Sequence, residues 1–169
     1  MGNRGMRSAV LCLAMAVAVG ARANAPPSNP LRHESERVLF VCEHGSVKSL
    51  IAAEYFNKHV RARRLPFVAI ARGTAPAPMP EAVRTGLQAA GFDVAGFSPV
   101  ALTASDVSGL ARVISFDQDI AAVVGGRAHY EQWDGLPAVS DDYGQGRDAI
   151  VRRVDALIDG LSKDPSTSR

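Results

Sequence analysis

The feature that most constrains the fold is a short apolar run that ends at a cysteine and leads into a helical pattern. Residues 37–41, Arg-Val-Leu-Phe-Val, have the composition of a buried parallel strand. Cys42 follows directly, and from Ser46 to about Arg63 the small and apolar residues recur at a spacing that gives one buried helix face. This strand, loop and helix predict an α/β fold with Cys42 at the carboxyl end of the first strand.

Strand-like and helix-like segments alternate along the rest of the chain. Further strands are expected at residues 67–71, 112–116 and 129–133. Helices are expected from Pro80 to Gly91, shortly after Asp117, and from about Arg147 to Leu161. This alternation predicts a parallel sheet that is covered by helices on both faces.

The N-terminal residues read as a targeting segment. Arg4 and Arg7 precede an uncharged run from Ser8 to Gly20, and Ala-x-Ala sites end at Ala23 and Ala25. The run is shorter than the ~20 residues needed to span a bilayer, which argues against a permanent membrane anchor. We therefore expect residues 1–25 to be a signal peptide, with the cleavage site open between the two alanines, and the protein to be exported, either periplasmic or secreted.

The remaining residues suffice for one domain. Residues 26–36 are rich in proline and polar residues and read as a linker, residues 37–161 as the domain, and residues 162–169 as a disordered tail. Loss of the signal peptide removes three arginines and no acidic residue, so the formal net charge falls from +2 to −1. That change argues against a nucleic-acid partner. It also removes Cys12 and leaves Cys42 as the sole thiol, which excludes an intrachain disulfide.

The loop after Cys42 is suited to an anion. Backbone N–H groups in a strand-to-helix loop point inward, and the helix N-terminus adds the positive end of its dipole. The same field favours the thiolate and makes it a better nucleophile. Gly45 permits a left-handed backbone, and Ser49 can donate a hydrogen bond to the thiolate. These residues predict a cysteine that attacks a tetrahedral oxyanion.

The strand, the cysteine, five residues, and then a basic residue and a serine resemble the signature loop of the low-molecular-weight protein tyrosine phosphatases and arsenate reductases. Three further segments are similar to that superfamily, and the similarity spans about residues 37–161. They are Ala71-Arg72-Gly73-Thr74 with Pro78 and Pro80, Gly91-Phe92-Asp93-Val94, and Trp133 ahead of Asp141-Asp142-Tyr143-Gly144.

The resemblance implies a three-layer, doubly wound sheet of four parallel strands in the order 2-1-3-4. It also implies hydrolysis of phosphate monoesters, phosphotyrosine among them, through a cysteinyl-phosphate and without a metal or other cofactor. Cys42 would be the nucleophile, Asp141 the general acid, and Lys48 the catalytic cation. The substrate would be bound by the rest of the loop, namely Glu43, His44, Gly45, Ser46, Val47 and Ser49.

Two positions depart from the superfamily pattern. Lys48 stands where arginine is usual, and a single compact ammonium replaces a planar fork that clamps two oxygens. Loss of an optimised contact of this kind costs about 2.7–4 kcal/mol of transition-state stabilisation. Asp142 stands where proline is usual, so both Asp141 and Asp142 are candidates for the acid, and the alignment through Tyr143 favours Asp141.

Three functions are compatible with these residues. The leading one is a phosphatase that acts on a phosphorylated small molecule or protein. The second is an arsenate reductase, which would need an external thiol because no second cysteine remains after export. The third is a non-catalytic module that binds an oxyanion or phosphopeptide, suggested by Lys48. No metal site is expected, since the four histidines are scattered along the chain.

Overall fold

The computed structural model describes residues 36–163, together with Gly2. Apart from Gly2, the predicted signal peptide lies outside the described residues, as do nearly all of the predicted linker and the tail from residue 164 onward. The described elements, in chain order, are β1 (Glu36–Cys42), α1 (Lys48–Ala62), β2 (Phe67–Gly73), α2 (Glu81–Ala89), β3 (Leu110–Phe116), α3 (Ala121–Val124), β4 (His129–Trp133) and α4 (Tyr143–Leu161).

The four strands form one parallel sheet in the order β2-β1-β3-β4, which confirms the predicted topology. The side chains of β1 are buried alternately on the two faces. Val38 and Phe40 join the larger core with residues of α1, α2 and α4, whereas Leu39 and Val41 join a smaller core with residues near α3. This double burial explains why β1 is continuously apolar, and it places Cys42 where the strand order reverses.

Two helix boundaries differ from the prediction, and both differences bear on the site. α1 begins at Lys48 instead of Ser46, and Val47 at its N-cap forms no side-chain capping bond. α4 begins at Tyr143, four residues earlier than expected, because the Asp142 carboxylate accepts a hydrogen bond from the N–H of Gln145. Among residues 36–163, no helix combines the length and apolar character that a membrane crossing requires.

Candidate active site

Cys42 ends β1 and is nearly buried, with 6% of its surface exposed. Its Sγ lies 3.1 Å from Ser49 Oγ and accepts a hydrogen bond from the N–H of Gly45 at 3.3 Å. Ser49 is the second residue of α1 and is fully buried. The sulfur therefore has two polar neighbours, the Ser49 hydroxyl and the Gly45 N–H, at hydrogen-bonding distance.

The loop of residues 43–47, which we call the nucleophile loop, is fixed from outside by the segment that follows β2. The carbonyls of Cys42, Glu43 and His44 accept hydrogen bonds at 3.1, 2.8 and 3.2 Å from the N–H groups of residues 74, 75 and 77. Ser46 Oγ donates to the carbonyl of Ala77 at 2.8 Å. No supporting role was predicted for residues 74–77, although their proline-rich pattern is typical of a loop.

Because the carbonyls of the loop face this supporting segment, several of its N–H groups remain available. Within residues 36–163, no hydrogen bond uses the N–H groups of Ser46, Val47 and Lys48. These groups stand at the N-terminus of α1, where the helix dipole is positive. Free N–H groups in this position can receive an anion, which is the property predicted for this loop from the sequence.

The close approach of two glycines makes this loop conformation possible. Gly45 has a φ of +69°, and a Cβ placed on it would lie 2.7 Å from the backbone nitrogen of Gly73. A Cβ on Gly73 would in turn lie 2.8 Å from the nitrogen of Gly45. The loop therefore needs glycine at both positions, one of which the sequence identified.

Lys48 forms an ion pair that the sequence did not indicate. Its Nζ lies 2.5 Å from Oδ2 of Asp117, and the side chains are 17% and 44% exposed respectively. Asp117 directly follows β3, which is the neighbour of β1 in the sheet. The position of Asp117 directly after a strand could have indicated that it lies near Cys42, because the carboxyl ends of neighbouring parallel strands meet at one edge of the sheet.

A cavity of about 360 Å³ opens above Cys42. Polar groups of the nucleophile loop, Lys48, Asp117 and Gln118 line it together with apolar residues such as Pro80, Val83 and Val139. The lining residues are Cys42, Glu43, His44, Val47, Lys48, Pro80, Ala82, Val83, Phe116, Asp117, Gln118, Ala138, Val139 and Ser140. The cavity thus combines polar groups that can receive an anion with room for an apolar substituent.

The two candidate acids occupy different environments. Asp142 is the N-cap of α4, whereas Asp141 accepts a hydrogen bond from Ser140 Oγ at 3.1 Å. Both are exposed, and neither lines the cavity, although Ser140 does. Asp141 therefore stands beside the cavity rim with a carboxylate that no helix cap engages.

Of the other residues named in the sequence analysis, some line the cavity and others do not. Glu43 and His44, both predicted to bind the substrate, line the cavity; their side chains are 60% and 49% exposed and lie 4.0 Å apart. Trp133 is core, packed against the rings of Phe40 and Phe116. Arg72 pairs with Asp106 at 2.9 Å and does not line the cavity.

Tyr143 packs beneath the segment that carries the two aspartates. A Cβ on Gly86 of α2 would lie 2.1 Å from its ring, and its hydroxyl is buried without a hydrogen-bond partner. Burial, together with the nearby Tyr55, raises the pKa of Tyr143 to about 12. Nowhere in residues 36–163 do three or more histidine, cysteine, aspartate or glutamate side chains gather closely enough to hold a metal ion.

Comparison with solved structures identifies the fold. The YfkJ protein of Bacillus subtilis superposes with a TM-score of 0.68 at 16% identity, over 79% of this chain and 99% of that chain. A low-molecular-weight phosphotyrosine phosphatase of Vibrio cholerae gives 0.63 at 18% identity, over 76% and 97%. A thioredoxin-dependent arsenate reductase of Corynebacterium glutamicum gives 0.60 at 19% identity, over 77% and 63%.

The chain therefore has the fold of the low-molecular-weight protein tyrosine phosphatases and arsenate reductases, which confirms the predicted fold class. No family model and no curated protein matches the sequence.

Proposed function

We propose that the protein is a phosphatase-like hydrolase that cleaves phosphate monoesters through a cysteinyl-phosphate. The observation that carries the proposal is the environment of Cys42 Sγ. Ser49 Oγ lies 3.1 Å from the sulfur and the Gly45 N–H donates to it at 3.3 Å, and the following N–H groups of the loop have no hydrogen-bond partner among the described residues. A nucleophile in an oxyanion cradle at the base of a cavity is suited to attack at phosphorus. Phosphotyrosine fits the apolar wall formed by residues such as Pro80, Val83 and Val139.

In the first step, Cys42 Sγ attacks phosphorus, and the S–P bond forms as the ester P–O bond breaks. The N–H groups of the nucleophile loop and Lys48 stabilise the negative charge on the three other phosphate oxygens. The Asp141 carboxylic acid gives its proton to the departing oxygen, so the leaving group departs as an alcohol or phenol. We assign this role to Asp141 because Asp142 is engaged as a helix cap.

In the second step, the Asp141 carboxylate takes a proton from water while the water oxygen attacks phosphorus. The S–P bond breaks, inorganic phosphate is released, and Cys42 returns as a thiolate that Ser49 and Gly45 stabilise. Asp141 is left protonated for the next cycle. Every proton is accounted for by Asp141 and water, and neither step consumes a further reactant.

The test is aryl-phosphate turnover by the wild type beside Cys42→Ser and Lys48→Arg. We expect Cys42→Ser to lower kcat by at least about 10³-fold, because the nucleophile of the covalent step is lost. Lys48→Arg should raise kcat, because a fork replaces a point charge. Lys58→Arg, on the same helix but outside the cavity, is the matched control. Full activity of Cys42→Ser would refute the proposal, and phosphate binding without turnover would leave an oxyanion-binding module.

Arsenate reduction is a second candidate, because arsenate is a tetrahedral oxyanion that the same cradle would accept. Among the described residues Cys42 is the free cysteine, so the cycle would need an external thiol to resolve the cysteinyl arsenate. Arsenate consumption that depends on added glutathione and on Cys42 would support this activity. Aryl-phosphate turnover without thiol-dependent arsenate reduction would exclude it.

We further propose that the protein acts after export. The proposal relies on the signal-peptide pattern of residues 1–25 and on the loss of Cys12 that cleavage would cause. Residues 1–36 fused to a phosphatase reporter that is active only outside the cytoplasm should yield activity. Replacement of Leu11 by arginine within the apolar run should abolish export, and unchanged reporter activity would contradict the proposal.

A further inference from the structure

We propose that Asp117 sets the affinity of the site for oxyanions by competing with them for the Lys48 ammonium. The inference rests on the proposed oxyanion site at Cys42 and adds to it a positioning residue that acts through Lys48. Asp117 Oδ2 lies 2.5 Å from Lys48 Nζ, and both residues line the cavity. The competition is therefore located inside the site.

The Lys48 ammonium cannot pair fully with Asp117 and with an oxyanion at the same time. Its side chain is only 17% exposed, so the ion pair lies in a partly desolvated environment, where charge interactions are stronger than in water. Among the described residues that line the cavity, it is the sole lysine or arginine. Arginine has five donors in a fork and can hold a carboxylate and a phosphate together, whereas lysine shares one compact charge.

The other charged and polar groups at the cavity do not relieve this competition. Glu43 adds a second carboxylate at the rim, and its nearest cationic candidate is His44 at 4.0 Å. Gln118 accepts a hydrogen bond from Thr74 Oγ1 at 3.3 Å, which ties its side-chain oxygen to the supporting segment. An incoming oxyanion must therefore draw Lys48 away from Asp117, and it then lies beside a carboxylate that has lost its partner.

The backbone of Asp117 limits the choice of variant that can test its charge. Its φ of 54° is left-handed, a conformation that aspartate and asparagine adopt more readily than most residues other than glycine. Its N–H donates to the carbonyl of Trp133 at 3.3 Å, which fixes this conformation at the edge of the sheet. Asparagine tolerates left-handed backbone as well as aspartate does, so Asp117→Asn removes the charge without a new backbone cost.

The test is calorimetric titration of the full chain with inorganic phosphate, which reports binding without turnover. We expect Asp117→Asn to lower the Kd for phosphate about tenfold, because a partly buried ion pair no longer has to be broken. Asp119→Asn is the matched control, since it makes the same charge change two residues away and outside the cavity. Its Kd should stay at the wild-type value.

A second pair of variants separates competition from a structural effect. If Asp117 acts through Lys48, the gain in affinity from Asp117→Asn should be clearly smaller in a Lys48→Met background, where only the direct repulsion between carboxylate and phosphate is relieved, and the double-mutant cycle gives this coupling directly. Weaker or equal phosphate binding by Asp117→Asn would overturn the inference, as would the same gain in the Lys48→Met background. Absence of binding in all variants would also overturn it. The proposed hydrolysis is decided separately, by aryl-phosphate turnover of the wild type and Cys42→Ser.

Discussion

The nucleophile loop and the segment that carries the candidate acid lie on two sides of one cavity, yet they are held in very different ways. The nucleophile loop contains the fully buried Ser46, and three successive carbonyls from Cys42 onward are tied to the segment after β2. The acid segment, residues 138–142, has exposed aspartates, its hydrogen bonds to the carbonyl of Ala138 are internal, and it is held by the buried Val139 and by the cap of α4.

This difference separates two tasks of the site. A cradle that stabilises developing charge must be organised before the substrate arrives, since its value depends on not having to rearrange. An acid needs only to reach the leaving oxygen, so it can stand on an exposed rim. A substitution in the nucleophile loop should therefore lower both stability and phosphate binding, whereas a substitution in the acid segment should lower either turnover or stability.

The largest effect is expected from Gly45→Ala. An alanine there would adopt a left-handed backbone, and its Cβ would lie 2.7 Å from the nitrogen of Gly73, where only backbone movement can relieve the clash. We expect a loss of about 3 kcal/mol or more in the free energy of unfolding, together with loss of phosphate binding. Urea denaturation and phosphate titration measure the two properties.

Gly91→Ala is the matched control for this prediction. Gly91 has a similarly positive φ of +81°, but a Cβ on it would meet nothing within 4 Å. It should lose only the conformational cost of about 1–2 kcal/mol and keep phosphate binding. Equal losses in the two variants would show that the approach of Gly45 to Gly73 does not organise the cradle.

Asp141→Asn is expected to have the next largest effect, confined to turnover. Loss of the proton donor should lower kcat about 10²-fold for substrates with poor leaving groups, and less for p-nitrophenyl phosphate. Stability should be unchanged because Asp141 is exposed and caps no helix. Asp142→Asn is the control, since asparagine keeps the cap; a greater loss of kcat in that variant would reverse the assignment of the acid.

The same contrast explains what the sequence could predict. The nucleophile loop follows from local signals, because the apolar strand, Cys42, Gly45 and the start of α1 lie within a dozen residues. The alternation of elements predicted the α/β class, whereas the strand order came from the family resemblance. Asp117 and the supporting residues 74–77 are brought to the loop only by the strand order β2-β1-β3, so their contacts depend on tertiary structure. Asp141 and Asp142 are adjacent in sequence, and the structure distinguishes them through the cap of α4 and the hydrogen bond from Ser140.

Asp142→Ala is expected to affect stability and to spare chemistry. The Asp142 carboxylate accepts the N–H of Gln145 at 2.9 Å, and loss of an N-cap of this kind costs about 1 kcal/mol. Urea denaturation should show that loss, while kcat of the folded fraction stays near the wild-type value. Asp141→Ala, one residue away, should leave the unfolding free energy unchanged; destabilisation by both would mean that the whole segment is coupled to α4.

The smallest effect concerns Tyr143, the residue that joins the acid segment to α4. Its hydroxyl is buried without a partner, so Tyr143→Phe should keep or raise stability at pH 7, by up to about 1 kcal/mol. The raised pKa, about 12 in the folded chain against 10.0 as its ordinary value, adds a pH dependence with a definite sign. The folded state disfavours ionisation, so its contribution to stability is complete below pH 10 and is lost as the pH rises toward 12.

Urea denaturation between pH 7 and 11 checks both parts of this prediction, and the advantage of Tyr143→Phe over the wild type should grow above pH 10. Tyr130→Phe is the matched control, because the Tyr130 hydroxyl lies 2.9 Å from Ser115 Oγ and accepts the N–H of Ile120 at 3.2 Å. Removing that satisfied hydroxyl should destabilise the protein at pH 7. If Tyr143→Phe is destabilising as well, the Tyr143 hydroxyl has a partner in solution, and the acid segment is held more firmly than its exposed aspartates indicate.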